Sequence, residues 1–99
     1  MFARVSTLHG PPELLEANLA VIRQEALPAF RERPGFKGLL SLVNQERGTS
    51  ITVSLWLSEA DMQASDMEAQ SLRAEAAEAG HDQILSVERY EVGLYEISF

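Results

Sequence analysis

The chain has no cysteine, which excludes a disulfide framework and any thiolate metal site. Histidine is nearly as scarce: only His9 and His81 occur, too few for most imidazole cages. No metal and no cofactor is therefore expected. Long apolar runs are missing too, so no segment reads as membrane-spanning. Residues Met1 to Ser6 lack the basic stretch and apolar core of a secretory leader. Together with the absent cysteine, this makes a cytoplasmic location the expectation. Positive charge is short as well. Eight Lys and Arg face 15 Asp and Glu, for a net charge of −7. Nucleic acid and anionic lipid are poor partners for such a chain, because neutralising phosphates takes clustered cations. Neither a Gly-x-Ser-x-Gly elbow nor a glycine-rich phosphate loop is present.

What remains is one domain spanning residues 1–99, thin-cored for its length and served by association with a second copy. Two stretches share one design. Leu8 to Ala17 ends an alternating run and opens an amphipathic one, and Leu55 to Ala64 repeats this 47 positions later. Phe2 to Leu8 reads as a strand, broken by Gly10-Pro11-Pro12, with Pro12 suited to a first helical turn. Leu15, Leu19, Ile22, Ala26 and Phe30 then form a bulky helical stripe. Pro28 falls inside it and should kink or interrupt the regular helix.

Lys37 to Gln45 and Ser50 to Leu57 read as a hairpin across Arg47-Gly48-Thr49. The second of these strands alternates, with Ile51, Val53, Leu55 and Leu57 on one face and Thr52, Ser54, Trp56 and Ser58 on the other. Ser58 with Asp61 marks a helix N-cap, and Gly80 the helix end. The inward stripe of this second helix is Met62, Ser65, Ala69, Leu72, Ala76 and Ala79, mostly small. Small stripes mean either close packing on the sheet or a cavity beneath. The helix region from Glu59 to Asp82 holds seven carboxylates and the single Arg73, which fits a solvated face. Ile84 to Val92 is a last strand, and Leu94 to Phe99 a β-prone tail free to reach a partner subunit.

A βαββαβ order gives a ferredoxin-like α+β fold: a four-stranded antiparallel sheet with both helices on one face. Right-handed crossovers lead to the expectation that the first and third strands lie adjacent and parallel. An apolar sheet face left bare would aggregate, so a homodimer through that face is expected.

Pro34-Gly35-Phe36-Lys37-Gly38, Leu55-Trp56-Leu57-Ser58-Glu59-Ala60 and Val87-Glu88-Arg89-Tyr90-Glu91-Val92 carry a resemblance. In order and spacing, nearly the whole chain resembles the dimeric α/β-barrel families, nearest the antibiotic-biosynthesis-monooxygenase-like group. The resemblance implies cofactor-independent oxygenases of phenols and quinols, haem-degrading enzymes, or proteins without assigned activity. Haem degradation is disfavoured. Its members carry a Trp and then a ligating His in the second helix, where this chain has Ser65 and a position near Glu75, with His81 beyond the helix.

A phenol oxygenase needs an apolar pocket and donors for a developing phenolate. The internal duplication pairs His9 with Trp56, and an imidazole is the side chain best suited to take a proton from a phenol near neutrality. His9 is thus the catalytic candidate, with Trp56, Asn44, Ser65, Ala69 and Leu72 for a small aromatic substrate. Each has a plainer reading: His9 as a strand-end residue, Trp56 as core, Asn44 as a turn residue. A non-catalytic dimeric binding or accessory module of the same fold stays open beside the oxygenase. A closed pocket above about 300 Å³ with His9, Trp56 and Asn44 on one wall would favour the enzyme.

Overall fold

The computed structural model describes all residues, 1–99. Strand β1 (Phe2–His9) leads into a first helical arm, and β2 (Phe36–Asn44) and β3 (Thr49–Trp56) form a hairpin. A second arm of α3 (Glu59–Ala64) and α4 (Asp66–Gly80) precedes β4 (Gln83–Glu91). The sheet order is β2-β3-β1-β4, and every neighbouring pair is antiparallel. This is the ferredoxin-like arrangement expected, with one correction. β1 and β3 are adjacent but antiparallel. The β2–β3 hairpin reverses the chain once more after the first crossover, so β3 runs opposite to β1.

The first arm is not one α-helix. A 3₁₀ turn at Pro12–Leu14 precedes α1 (Leu15–Val21), a π turn covers Ile22–Ala26, and α2 spans Leu27–Arg31. Pro28 has no N–H to donate to the Gln24 carbonyl, and its ring crowds that carbonyl. The wider π turn sits just ahead of it, and the Leu27 N–H reaches back to the Ile22 carbonyl. The interruption expected from Pro28 is present, displaced one turn upstream.

Both arms pack on the same sheet face. The Ser58 hydroxyl accepts from the Asp61 N–H at 3.1 Å and caps α3. The second arm breaks at Ser65 and resumes as α4. Gly80 is the last residue of α4, and the left-handed residue after it is His81, at φ 52°. The glycine is needed for close approach instead, since a Cβ there would press on Asn18 and the Asp82 carboxylate. Gly35 answers to both demands: it has φ +79°, and a side chain would overlap Asp61.

The sheet's two faces divide by chemistry in an unusual sense. The helix-covered face of β1 and β3 carries Arg4, Ser6, Ser50, Ser54 and Trp56, all buried. The open face carries Val5, Ile51, Val53 and Leu55, with Leu40 and Leu42 on β2 exposed beside them. The tail after Val92 forms no strand, and Leu94, Tyr95, Ile97 and Phe99 are exposed.

Candidate active-site cavity

Bulky side chains gather at one end of the layer between sheet and helices. Trp56, fully buried, meets Phe30 and Phe36 edge-on with ring centroids 5.5 Å away in each case. Met62, Ala26 and Ala69 complete this cluster. At the other end Leu8 and Leu15 are buried, and the Asn18 amide donates to the Asp82 carboxylate. Between these ends the sheet offers Ser6, Thr52 and Ser54, and α4 offers Ala69 and Ala76. Large groups hold the layers apart at both ends while small ones face each other in the middle. A cavity of about 40 Å³ results.

Its walls differ. Ile22, Ala26, Phe30, Leu39 and Leu72 are apolar, while Arg4, Ser6, Asn18, Thr52, Ser54 and Arg73 are polar. The π turn matters here, since it supplies Ile22 and Ala26. A groove of about 220 Å³ lies on the surface between the first arm and β2, and it shares Ile22 and Leu39 with the cavity. Those two side chains border both spaces.

The floor is electrostatically uneven. Arg4 is 2 % exposed and sits 5.9 Å from the Trp56 ring. One terminal nitrogen donates to the Met62 carbonyl at 2.7 Å, Ser65 Oγ at 2.8 Å and Asp66 Oδ1 at 2.6 Å. Its Nε is buried without a partner. Burial lowers the Arg4 pKa, and the bond to Asp66 opposes that. Asp66 also pairs with Arg89 at 3.2 Å, so one carboxylate serves two guanidiniums. Arg73, half-buried on α4, donates from Nε to Ser6 Oγ at 3.1 Å. Burial and then the charges of Arg4 and Arg89 lower its pKa.

A pH effect follows from Asp66. Burial pushes its pKa up, but hydrogen bonds from Arg4 and Arg89 and their charges outweigh this and hold it below its ordinary value. Its contribution is therefore complete above the unfolded pKa, near about 4, and lost as pH falls through the lower folded value. Acid titration of stability should show this loss, and Asp66→Asn should flatten it. An unchanged acid limb in that variant would remove Asp66 from the account.

The structure separates the residues that the sequence had grouped. Trp56 pairs with Phe2 and His9 with Thr49. The pair thus stands about 23 Å apart along β1, at about 3.3 Å per residue. The antiparallel register puts the two at opposite ends of the sheet, so the expected His9–Trp56 wall does not exist. His9 is exposed, and neither it nor Trp56 lines the cavity. Asn44 is the exposed last residue of β2, and its Oδ1 accepts from the Arg47 N–H in the turn at 3.1 Å. Ala69 and Leu72 do line the cavity, whereas Ser65 lies behind it, bonded to Arg4. The space is also far below the roughly 300 Å³ expected of a ligand pocket. Arg4, Ser6 and Asn18 were missed because polar residues on a strand or helix interior give no period of their own. No group of three His, Asp or Glu side chains converges to hold a metal. No helix is long and apolar enough to cross a membrane.

No family profile and no curated protein sequence matches this chain. Solved structures do. A candidate antibiotic biosynthesis monooxygenase from Deinococcus radiodurans superposes with a TM-score of 0.74 at 16 % identity, covering 100 % of this chain and 99 % of that one. The ActVA-Orf6 monooxygenase of Streptomyces coelicolor, solved with nanaomycin D, gives 0.73 at 17 % identity over 98 % of this chain and 92 % of its own. SnoaB, a cofactor-independent oxygenase from Streptomyces nogalater, gives 0.58 at 20 % identity over 95 % and 92 %. Whole-length agreement at such low identity is agreement of fold. This chain has the same ferredoxin-like fold as these solved monooxygenases.

Proposed function

We propose that this protein is a cofactor-independent monooxygenase of a small phenol or quinol, bound between the sheet and the helices. The observation that carries the reading is the two-sided cavity, with an apolar wall for a ring and guanidinium, hydroxyl and amide groups for an oxygen. Fold likeness to a cofactor-independent oxygenase supports it. No imidazole or carboxylate lines the cavity, so His9 has no place as the base. The phenolic proton instead leaves to water, helped by Arg4 and Arg73, whose positive field favours the phenolate. The electron-rich phenolate reduces O₂, one oxygen atom entering the ring and the other leaving as water. Phenol and O₂ then balance against p-quinone and water.

A ring does not fit the interior space alone, which suffices for about three waters at 10–15 Å³ each. Rotation of Ile22 and Leu39 would join it to the outer groove and give the required room. The deciding experiment is a screen of phenols and quinols for oxygen uptake with a metal chelator present. Quinone formed in step with oxygen uptake, without peroxide, is the expected result. Binding without oxygen uptake would instead establish the non-catalytic module, which the missing base favours.

The same reading includes a homodimer. The open face carries Leu40, Leu42, Ile51, Val53 and Leu55, an apolar area that a second sheet would cover. The exposed tail residues Leu94, Ile97 and Phe99 would extend that contact. Sedimentation should give a dimer at micromolar concentration, and the pair Leu42→Asp and Val53→Asp a monomer. A monomeric unmodified protein would end this part of the reading.

A further inference from the structure

Arg73 has no counter-ion. No carboxylate lies within 4 Å of it, and its single hydrogen bond within the chain goes from Nε to Ser6 Oγ. Its two terminal nitrogens are therefore uncommitted, on a side chain lining the cavity. Asp66, the acid whose charge acts on Arg73, is already divided between Arg4 and Arg89. Two guanidiniums thus share one carboxylate and a third has none, in a protein whose net charge is −7. The unpartnered Nε of Arg4, which lines the same cavity and is almost fully buried, is a second donor without an acceptor. A local excess of positive charge that is partly withdrawn from water is costly unless an anion completes it.

We propose that Arg73 receives the carboxylate of an aromatic acid whose ring lies against Ile22, Phe30, Leu39 and Leu72. Ser6 fixes Nε, so the planar fork cannot swing and presents its terminal edge to a planar oxyanion, as paired guanidinium–carboxylate contacts require. A carboxylate arrives ionised at neutral pH and needs no base from the protein. The apolar wall opposite supplies the ring's contact surface. This names the substrate class of the proposed oxygenase and rests on that reading for its chemistry, while the binding event is measured by itself.

Calorimetry with 4-hydroxybenzoate against 4-hydroxybenzamide is the test, since the two share shape and differ in charge. The acid should bind at least about 10-fold more tightly. Arg73→Gln should erase that preference, and Arg73→Lys should keep only part of it. Equal binding of acid and amide, no binding of either, a preference surviving in Arg73→Gln, or inorganic phosphate binding as tightly as the acid would overturn the proposal. The unmodified protein alone decides the matter if a variant fails to fold. Acid binding without oxygen uptake would leave this proposal standing and remove the oxygenase. Oxygen uptake with phenols, indifferent to a carboxylate, would do the reverse.

Discussion

Arg4→Ala should destabilise the domain by about 3–5 kcal/mol, the cost of breaking a buried ion pair by removing one partner. The side chain is 2 % exposed and bridges β1 to Met62, Ser65 and Asp66 at the junction of α3 and α4. Its loss leaves the Met62 carbonyl without this donor and empties space beside Trp56. A domain of this size has only about 5–15 kcal/mol in total, so the variant stands near its unfolding limit. Its Tm should drop by more than about 10 °C. Urea denaturation of Arg4→Ala, Asp66→Asn and the double variant would give a coupling of about 1–3 kcal/mol. Additive losses would show that the pair acts only as filling. Arg4→Met, which keeps the volume, should lose less than Arg4→Ala.

Ala69→Leu should abolish ligand binding and turnover while leaving a folded protein. Ala69 is 5 % exposed and borders both the aromatic cluster and the cavity. Three added carbons would occupy the space of about 40 Å³ beneath it. Overpacking costs about 1–3 kcal/mol, which the existing void reduces. Activity should fall about 100-fold or more while circular dichroism and sedimentation stay unchanged, since misplacing a substrate alone costs that much. Retained activity in this variant would place the reaction elsewhere.

Much of this protein is legible from local pattern. The alternation of Ser50 to Leu57 and the stripes at 3.6-residue spacing mark strands and helices whose observed bounds lie within a residue or two. Ser58 capped a helix as its spacing to Asp61 required, because an N-cap is chemistry among near neighbours. Pro28 likewise acts on its own turn. The small stripe of α4 is visible too, and Ala69, Leu72 and Ala76 line the cavity. Asn18 was not legible: it interrupts an apolar stripe and is buried because Asp82, 64 residues away, receives its amide.

The sequence by itself determined the element order, the fold class and the two chemically different faces of β3, all consequences of period and local propensity. It also limited the chemistry, through missing cysteine and scarce histidine. Only the tertiary structure decided the register of β3 on β1, which sets His9 and Trp56 at opposite ends of the sheet. Only packing decided which face of β3 meets the helices, and it is the one carrying serines and the tryptophan, against Arg4 and Ser6. Two guanidiniums, Arg4 and Arg73, lie 69 positions apart in sequence yet line one cavity. No local period encodes that meeting, because it depends on how two arms settle on one sheet and where their small side chains leave space.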